Sequence, residues 1–181
     1  MIFCIDANIF IWGLKKRCDP GDEGLREKAI YFIESAIENN HQIMIPTVVL
    51  AEVLSAEPLE RHPVIMELIK GSMIVDFDQR AAMKYSHLFM NKVRELKKKA
   101  SELDLERQKM KIDHLIIACA IVNGANCIYS HDNGIKTFGQ TYIEVKDLPS
   151  IPRPKPVQVN LFDAIEKEKE VAQDPNEDLP F

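Results

Sequence analysis

The stretch from Asp113 to Asp132, DHLIIACAIVNGANCIYSHD, decides the fold class. Asp113 to Asn123 is apolar over helical length, and Gly124 follows as its C-terminal stop. Cys127 to Ser130 then reads as a short buried strand, with Asp132 just past its end. A helix passing directly into a strand that ends beside an acid is one unit of an alternating pattern. The rest of the chain repeats that pattern in both directions.

Ile2 to Ile5 is a short apolar run and reads as a first strand that ends at Asp6. Leu25 to Asn40 has helical periodicity, with Leu25, Ala29, Ile33, Ala36 and Ile37 on one face. Gln42 to Ile45 is a second strand stopped by Pro46. Thr47 is placed to cap a helix from Val48 to Ala56. A short helix from Val64 to Lys70 ends at Gly71, and Met73 to Val75 is a third strand. Asp78 is the cap of a long helix that begins near Gln79 and carries Leu88, Val93, Leu96 and Leu103. Tyr142 to Val145 is the last strand. The alternation predicts an α/β fold, a parallel sheet of about five strands flanked by helices, with right-handed crossovers.

Residues 1–148 read as one domain, and residues 149–181 as a Pro-rich linker (IPRPKP) followed by an acidic tail. The chain has 181 residues and a net charge of −5. Residues 161–181 carry seven acids and two lysines, so the acidity of the protein is that of its tail. Leu161, Phe162 and Ile165 give the tail a short apolar helical face able to dock on a groove. A chain with this charge does not coat nucleic acid through bulk positive charge, but it can carry a local basic surface. The sequence shows no secretory leader and no apolar run near the ~20 residues that span a bilayer, so no membrane and a cytoplasmic location are expected. Cys4, Cys18, Cys119 and Cys127 form no CxxC pair, and three of them sit in apolar runs as small buried hydrophobes.

Asp6, Glu52, Asp113 and Asp132 stand at or near the ends of these core elements. In open α/β sheets, sites form outside the carboxyl ends of the strands, so the segments bearing these acids meet at one edge. Like charges brought together repel, and a hard divalent cation with oxygen ligands relieves that repulsion. Other readings compete residue by residue. Asp113 in a first helical turn is also an acid favoured by the helix dipole, and Asp6 is also a turn residue. Glu52 inside an apolar helix resists such a reading, because an unpaired buried carboxylate is costly. His114 and His131 flank two of the acids, as ligands or as residues facing elsewhere. Trp12 with Lys15, Lys16 and Arg17 is either an RNA-stacking platform or a core Trp beside a solvated charge run. The spacing excludes a calcium loop, whose ligands fall within about a dozen contiguous residues. It excludes a receiver domain, which has two adjacent acids after its first strand, where this chain has DANIF. It also lacks a Gly-rich phosphate loop.

Four motifs in order resemble the PIN domain, a metal-dependent ribonuclease fold: FCIDANIFIW, PTVVLAEVL, KIDHLIIACAIVNGANC and YSHDNGIKTFG. The resemblance covers residues 1–148 and is nearest to the PIN-domain toxins of toxin–antitoxin pairs. It implies an Mg²⁺- or Mn²⁺-dependent endoribonuclease. Asp6, Glu52, Asp113 and Asp132 are then the metal-holding and catalytic acids, and Asn8 and Ser130 orient them. It implies an RNA substrate and an antitoxin protein as partner, and leaves a homodimer open. Two segments exceed the compact pattern: the tail, and residues 91–111, whose eight basic and four acidic residues sum to +4. Within the latter, Lys97, Lys98 and Lys99 are candidates for gripping the substrate backbone. A DNA nuclease and a non-catalytic interaction module on the same fold are the competing functions.

Overall fold

In a computed structural model, residues 1–96 and 104–152 are described, and side chains over 1–90 and 112–152. Lys97, Lys98 and Lys99 and the acidic tail lie outside the described residues. Met1–Ile151 packs as one compact unit.

Five short strands form one sheet: β1 (Ile2–Ile5), β2 (Gln42–Pro46), β3 (Met73–Val75), β4 (Cys127–Tyr129) and β5 (Glu144–Lys146). Their order is β3-β2-β1-β4-β5 and every pairing is parallel. The expected α/β sheet is therefore the observed one. β1 is central, with Cys4 opposite Met44 on one side and Ile128 on the other. A central parallel strand is covered on both faces and must be apolar throughout. Cys4, Ile5, Met44, Ile45 and Ile128 are accordingly all fully buried.

The helices follow from local signals. Helix α1 (Ala7–Ile9) runs straight into a π-helical turn at Phe10–Leu14. Gly13 in that turn lies against α2 (Glu23–Glu38), where a Cβ would stand 2.8 Å from Ile33 Cγ1 and 3.1 Å from the Ala29 carbonyl. Trp12 is buried in the core, edge-on to His131 at 5.7 Å. α3 (Thr47–Ser55) starts directly from β2, with Pro46 rather than Thr47 in the capping position. The Thr47 hydroxyl instead accepts from the Phe77 N–H at 3.3 Å, across to the end of β3. α4 (His62–Leu68) follows a 3₁₀ turn at Leu59–Arg61. Asp78 caps α5 (Gln79–Leu96), accepting from the Ala81 N–H at 2.9 Å. α6 (Asp104–Val122) precedes β4, and α7 (Asn133–Gly139) lies between β4 and β5.

The chain steps outward from β1 to β2 and β3, then returns to the other flank of β1 as β4. The order therefore reverses at the β1/β4 junction, and a crevice opens outside the carboxyl ends of those two strands. No helix among the described residues is long and apolar enough to cross a membrane.

Candidate active site

A pocket of about 250 Å³ occupies that crevice. Asp6, Asn8, Glu52, Asp113 and Asp132 line it, over a floor of Ala7, Ile112, Ile116 and Ile135. Four elements distant in sequence thus bring the four acids together. Asp6 comes from the end of β1, Glu52 from α3, Asp113 from α6 and Asp132 from the loop after β4.

Asp6 is almost completely buried. Its Oδ1 caps α1 by accepting from the Ile9 N–H at 2.8 Å, and its Oδ2 accepts from the Ser130 hydroxyl. Ser130 Oγ in turn accepts from the Asp132 N–H at 3.0 Å. One buried serine therefore couples the two acids across the strand junction. Asp132 caps α7, its Oδ1 accepting from the N–H groups of Gly134 at 2.5 Å and Ile135 at 3.3 Å. Asn8 stands exposed on the rim.

Two acids sit differently from their expected positions. Asp113 is placed well inside α6, which begins nine residues earlier at Asp104, so the helix dipole does not account for its presence there. It is buried all the same. Glu52 falls in the second turn of α3 and is exposed at the pocket rim, because the apolar positions around it, Val49, Leu50 and Val53, face the core. The histidines beside the acids point elsewhere. His114 is buried between the rings of Phe89 and Phe138, at centroid distances of 6.1 and 5.2 Å. His131 packs on Trp12, with Nδ1 4.0 Å from Asp147.

Sequence reading missed Gly134. A Cβ on this residue would collide with Asp113 Oδ2 and stand 2.8 Å from Asp132 Oδ1. Two carboxylates from separate elements therefore converge on the space a side chain would fill. Only glycine permits that approach. The YSHDNGIKTFG motif contains Gly134 but does not show this contact.

Electrostatics follow from burial. Asp6 is raised from 3.8 to about 6, chiefly by loss of water and further by the charges of Asp132 and Glu52. The Ile9 N–H and the Ser130 hydroxyl pull it the other way. Glu52 is also raised, by partial desolvation first and then by Asp132.

The donor set is all carboxylate oxygen, the set that suits Mg²⁺ or Mn²⁺ rather than a thiophilic metal. Among the described residues no group of three or more His, Cys, Asp or Glu side chains is drawn together closely enough to hold a metal ion. Mg²⁺ does not need such a group, since it keeps several waters beside one or two carboxylates and the substrate. The acids line the walls of an open pocket, and the residues present fit such an ion.

The PIN domain family profile matches residues 3–140. This chain belongs to the PIN domain family. The PIN domain so defined contains all four acids, Asn8, Ser130 and Gly134. Solved structures share its fold. VapBC2 from Rickettsia felis, bound to a DNA fragment from the promoter, aligns with a TM-score of 0.57 at 19% identity, over 82% of this chain and 100% of that one. VapBC-1 from nontypeable Haemophilus influenzae aligns at 0.55 and 17% identity, over 82% and 98%. DNA-bound VapBC from Salmonella typhimurium aligns at 0.54 and 17%, over 82% and 99%. Among curated protein sequences none matches.

Proposed function

We propose that this PIN domain is an Mg²⁺- or Mn²⁺-dependent endoribonuclease that acts at the acid pocket. The observation that carries this reading is the convergence of Asp6, Glu52, Asp113 and Asp132 on one pocket at the β1/β4 junction. Acids that served only as caps or surface groups would have no reason to meet.

Asp6 and Asp113 hold the ion, and Glu52 and Asp132 complete its surroundings directly or through water. When bound, the ion activates water and neutralises charge on the phosphate under attack. The protein's own contribution is orientation. Ser130 fixes one Asp6 oxygen and the backbone of Asp132 together, so the two acids move as a unit. Gly134 lets Asp113 approach that unit. Asp6, protonated up to about pH 6, must lose its proton before it serves as a ligand.

Membership of the PIN family and the VapBC neighbours support a toxin of a toxin–antitoxin pair, with an antitoxin protein as partner. The test is cleavage of end-labelled single-stranded RNA and DNA with Mg²⁺, with Mn²⁺ and with chelator. Cleavage of RNA that requires the ion is the expected result. Unchanged cleavage in chelator, or none under any ion, rejects the reading.

A further inference from the structure

A second charged site lies one step from the acid pocket, on the same two segments. Beyond Asp6, α1 and the π turn lead to Lys15 and Arg17. Beyond Glu52, α3 leads to Glu57. Glu57 lies five residues after Glu52, two past the end of α3 at Ser55, so the chain between them spans at most about 18 Å. At Glu57 the two segments meet again. Its carboxylate accepts from Lys15 Nζ at 2.5 Å and Arg17 Nη1 at 3.2 Å, and Arg61 Nε stands 3.7 Å away.

The exposures separate the roles. The side chains of Glu57 and Lys15 are 7% and 9% exposed, whereas those of Arg17 and Arg61 are 49% and 51% exposed. Glu57 and Lys15 form a sunken ion pair, and the two arginines rim a cleft of about 140 Å³ walled by Val64, Ile65 and Leu68. Three cations share one carboxylate, leaving a surplus of two positive charges. A guanidinium carries five N–H donors in a planar fork. Among the described residues Arg17 gives one hydrogen bond to Glu57, and Arg61 at 3.7 Å is beyond hydrogen-bond range. The rim therefore presents donors matched to phosphate oxygens, held in place by a fixed counter-charge.

The acid pocket repels phosphate until its ion is bound, so a nuclease needs cations close beside it. This cleft supplies them on the two chain segments that continue from Asp6 and Glu52. It is small, suited to one phosphate and the edge of its ribose rather than to a folded element. We propose that Lys15, Arg17 and Arg61, braced by Glu57, bind the backbone of a single-stranded RNA next to the phosphate held in the acid pocket. The proposal rests on the nuclease reading above. Such a contact sets strand register without reading sequence.

The test uses the full chain carrying Asp6→Asn, so that bound RNA is not cut, and a short fluorescent single-stranded RNA of mixed sequence. Adding Arg17→Gln and Arg61→Gln should weaken binding about tenfold at low salt and flatten the plot of log affinity against log salt by roughly 0.7 per lost contact. Arg17→Lys with Arg61→Lys should keep the slope. Unchanged affinity and slope in the Gln variant overturns the proposal and leaves the nuclease reading standing. So does a Lys variant that loses the slope as fully, which assigns the arginines to structure. Intact RNA binding with lost affinity for a glutamate-rich peptide overturns it in favour of an acidic protein partner. If wild-type protein cuts no RNA and the Asp6→Asn chain binds none, the nuclease reading itself fails before the variants are compared.

Discussion

Asp6 and Glu57 are both nearly buried carboxylates, one lining the acid pocket and the other lining the basic cleft. Around Asp6 the nearest charges are other acids, and its pKa is pushed up to about 6. Around Glu57 they are cations, and its pKa is pulled down, first by the Lys15 hydrogen bond and then by the charges of Lys15, Arg17 and Arg61. The same functional group is thus destabilised at one site and satisfied at the other. A satisfied buried charge ties elements together. A destabilised one in a pocket marks a candidate functional site. Asp6 opens the segment that leads through α1 to Lys15 and Arg17, and Glu57 closes the segment that leads from Glu52 through α3, so the same two segments carry both sites.

Substitutions at the two carboxylates should therefore have opposite signatures. Asp6→Asn should lower RNA cleavage by at least about a hundredfold, because a ligand rather than a supporting group is lost. Glu57→Gln should retain measurable cleavage but melt several degrees lower, because Lys15 is left sunken without its counter-charge. Equal losses of activity in both variants would erase the distinction.

Next in size is Gly134→Ala. The added methyl must displace the Asp113 carboxylate. Overpacking of this kind costs about 1–3 kcal/mol, and we expect cleavage to fall about tenfold or more while the far cleft still binds RNA. Normal activity in this variant would mean that Asp113 is free to move without consequence. Ser130→Ala removes one of the two hydrogen bonds that hold Asp6 down. Loss of such a supporting partner typically costs 10–100-fold in metal affinity. The pH midpoint for activity should also move upward, and a fixed midpoint would count against the coupling.

The smallest effect is on metal-free stability. An acid whose folded pKa lies above its unfolded value is penalised when ionised, so Asp6 costs stability as pH rises from about 4 to about 6, and by a constant amount above that. At 1.36 kcal/mol per pKa unit the ceiling is ~3 kcal/mol. In chelator, Asp6→Asn should therefore be the more stable protein at pH 8, with the gap closing as pH falls toward 4. Glu57, lowered instead, contributes stability above its ordinary range that is lost on acidification, so the Glu57→Gln difference should also close at low pH, with the opposite sign. Thermal melts across this range check both curves.

The fold was legible where local signals are strong. β1 and β3 match their apolar runs to the residue, and Asp78 caps α5 as its position before the amphipathic run implies. The differences have separate physical causes. α6 starts at Asp104 rather than Asp113, because the charged residues before Asp113 hide helical continuity that apolar periodicity alone cannot reveal. α7 falls in a stretch to which the sequence reading assigns no element; Asp132 caps it and Gly139 fits against Val145. β5 is displaced to Glu144–Lys146, at a sheet edge where little burial fixes the register. For the site, all four acids were visible as residues that end or interrupt core elements. The Gly134 contact and the Lys15–Glu57 pair were not, because both depend on approaches between segments far apart in sequence.

The central place of β1 has a consequence for the protein's birth. Asp6 leaves the ribosome well before the serine that holds it, which is 124 positions later. At a synthesis rate of 5–20 residues per second, the partner emerges roughly 6–25 s after Asp6 does. Until then β1 has no β4 beside it, and the pocket lacks Asp132. On the proposed nuclease reading, a nascent chain therefore lacks a complete acid pocket over the whole stretch between Asp6 and Ser130, even while it sits beside the messenger that encodes it.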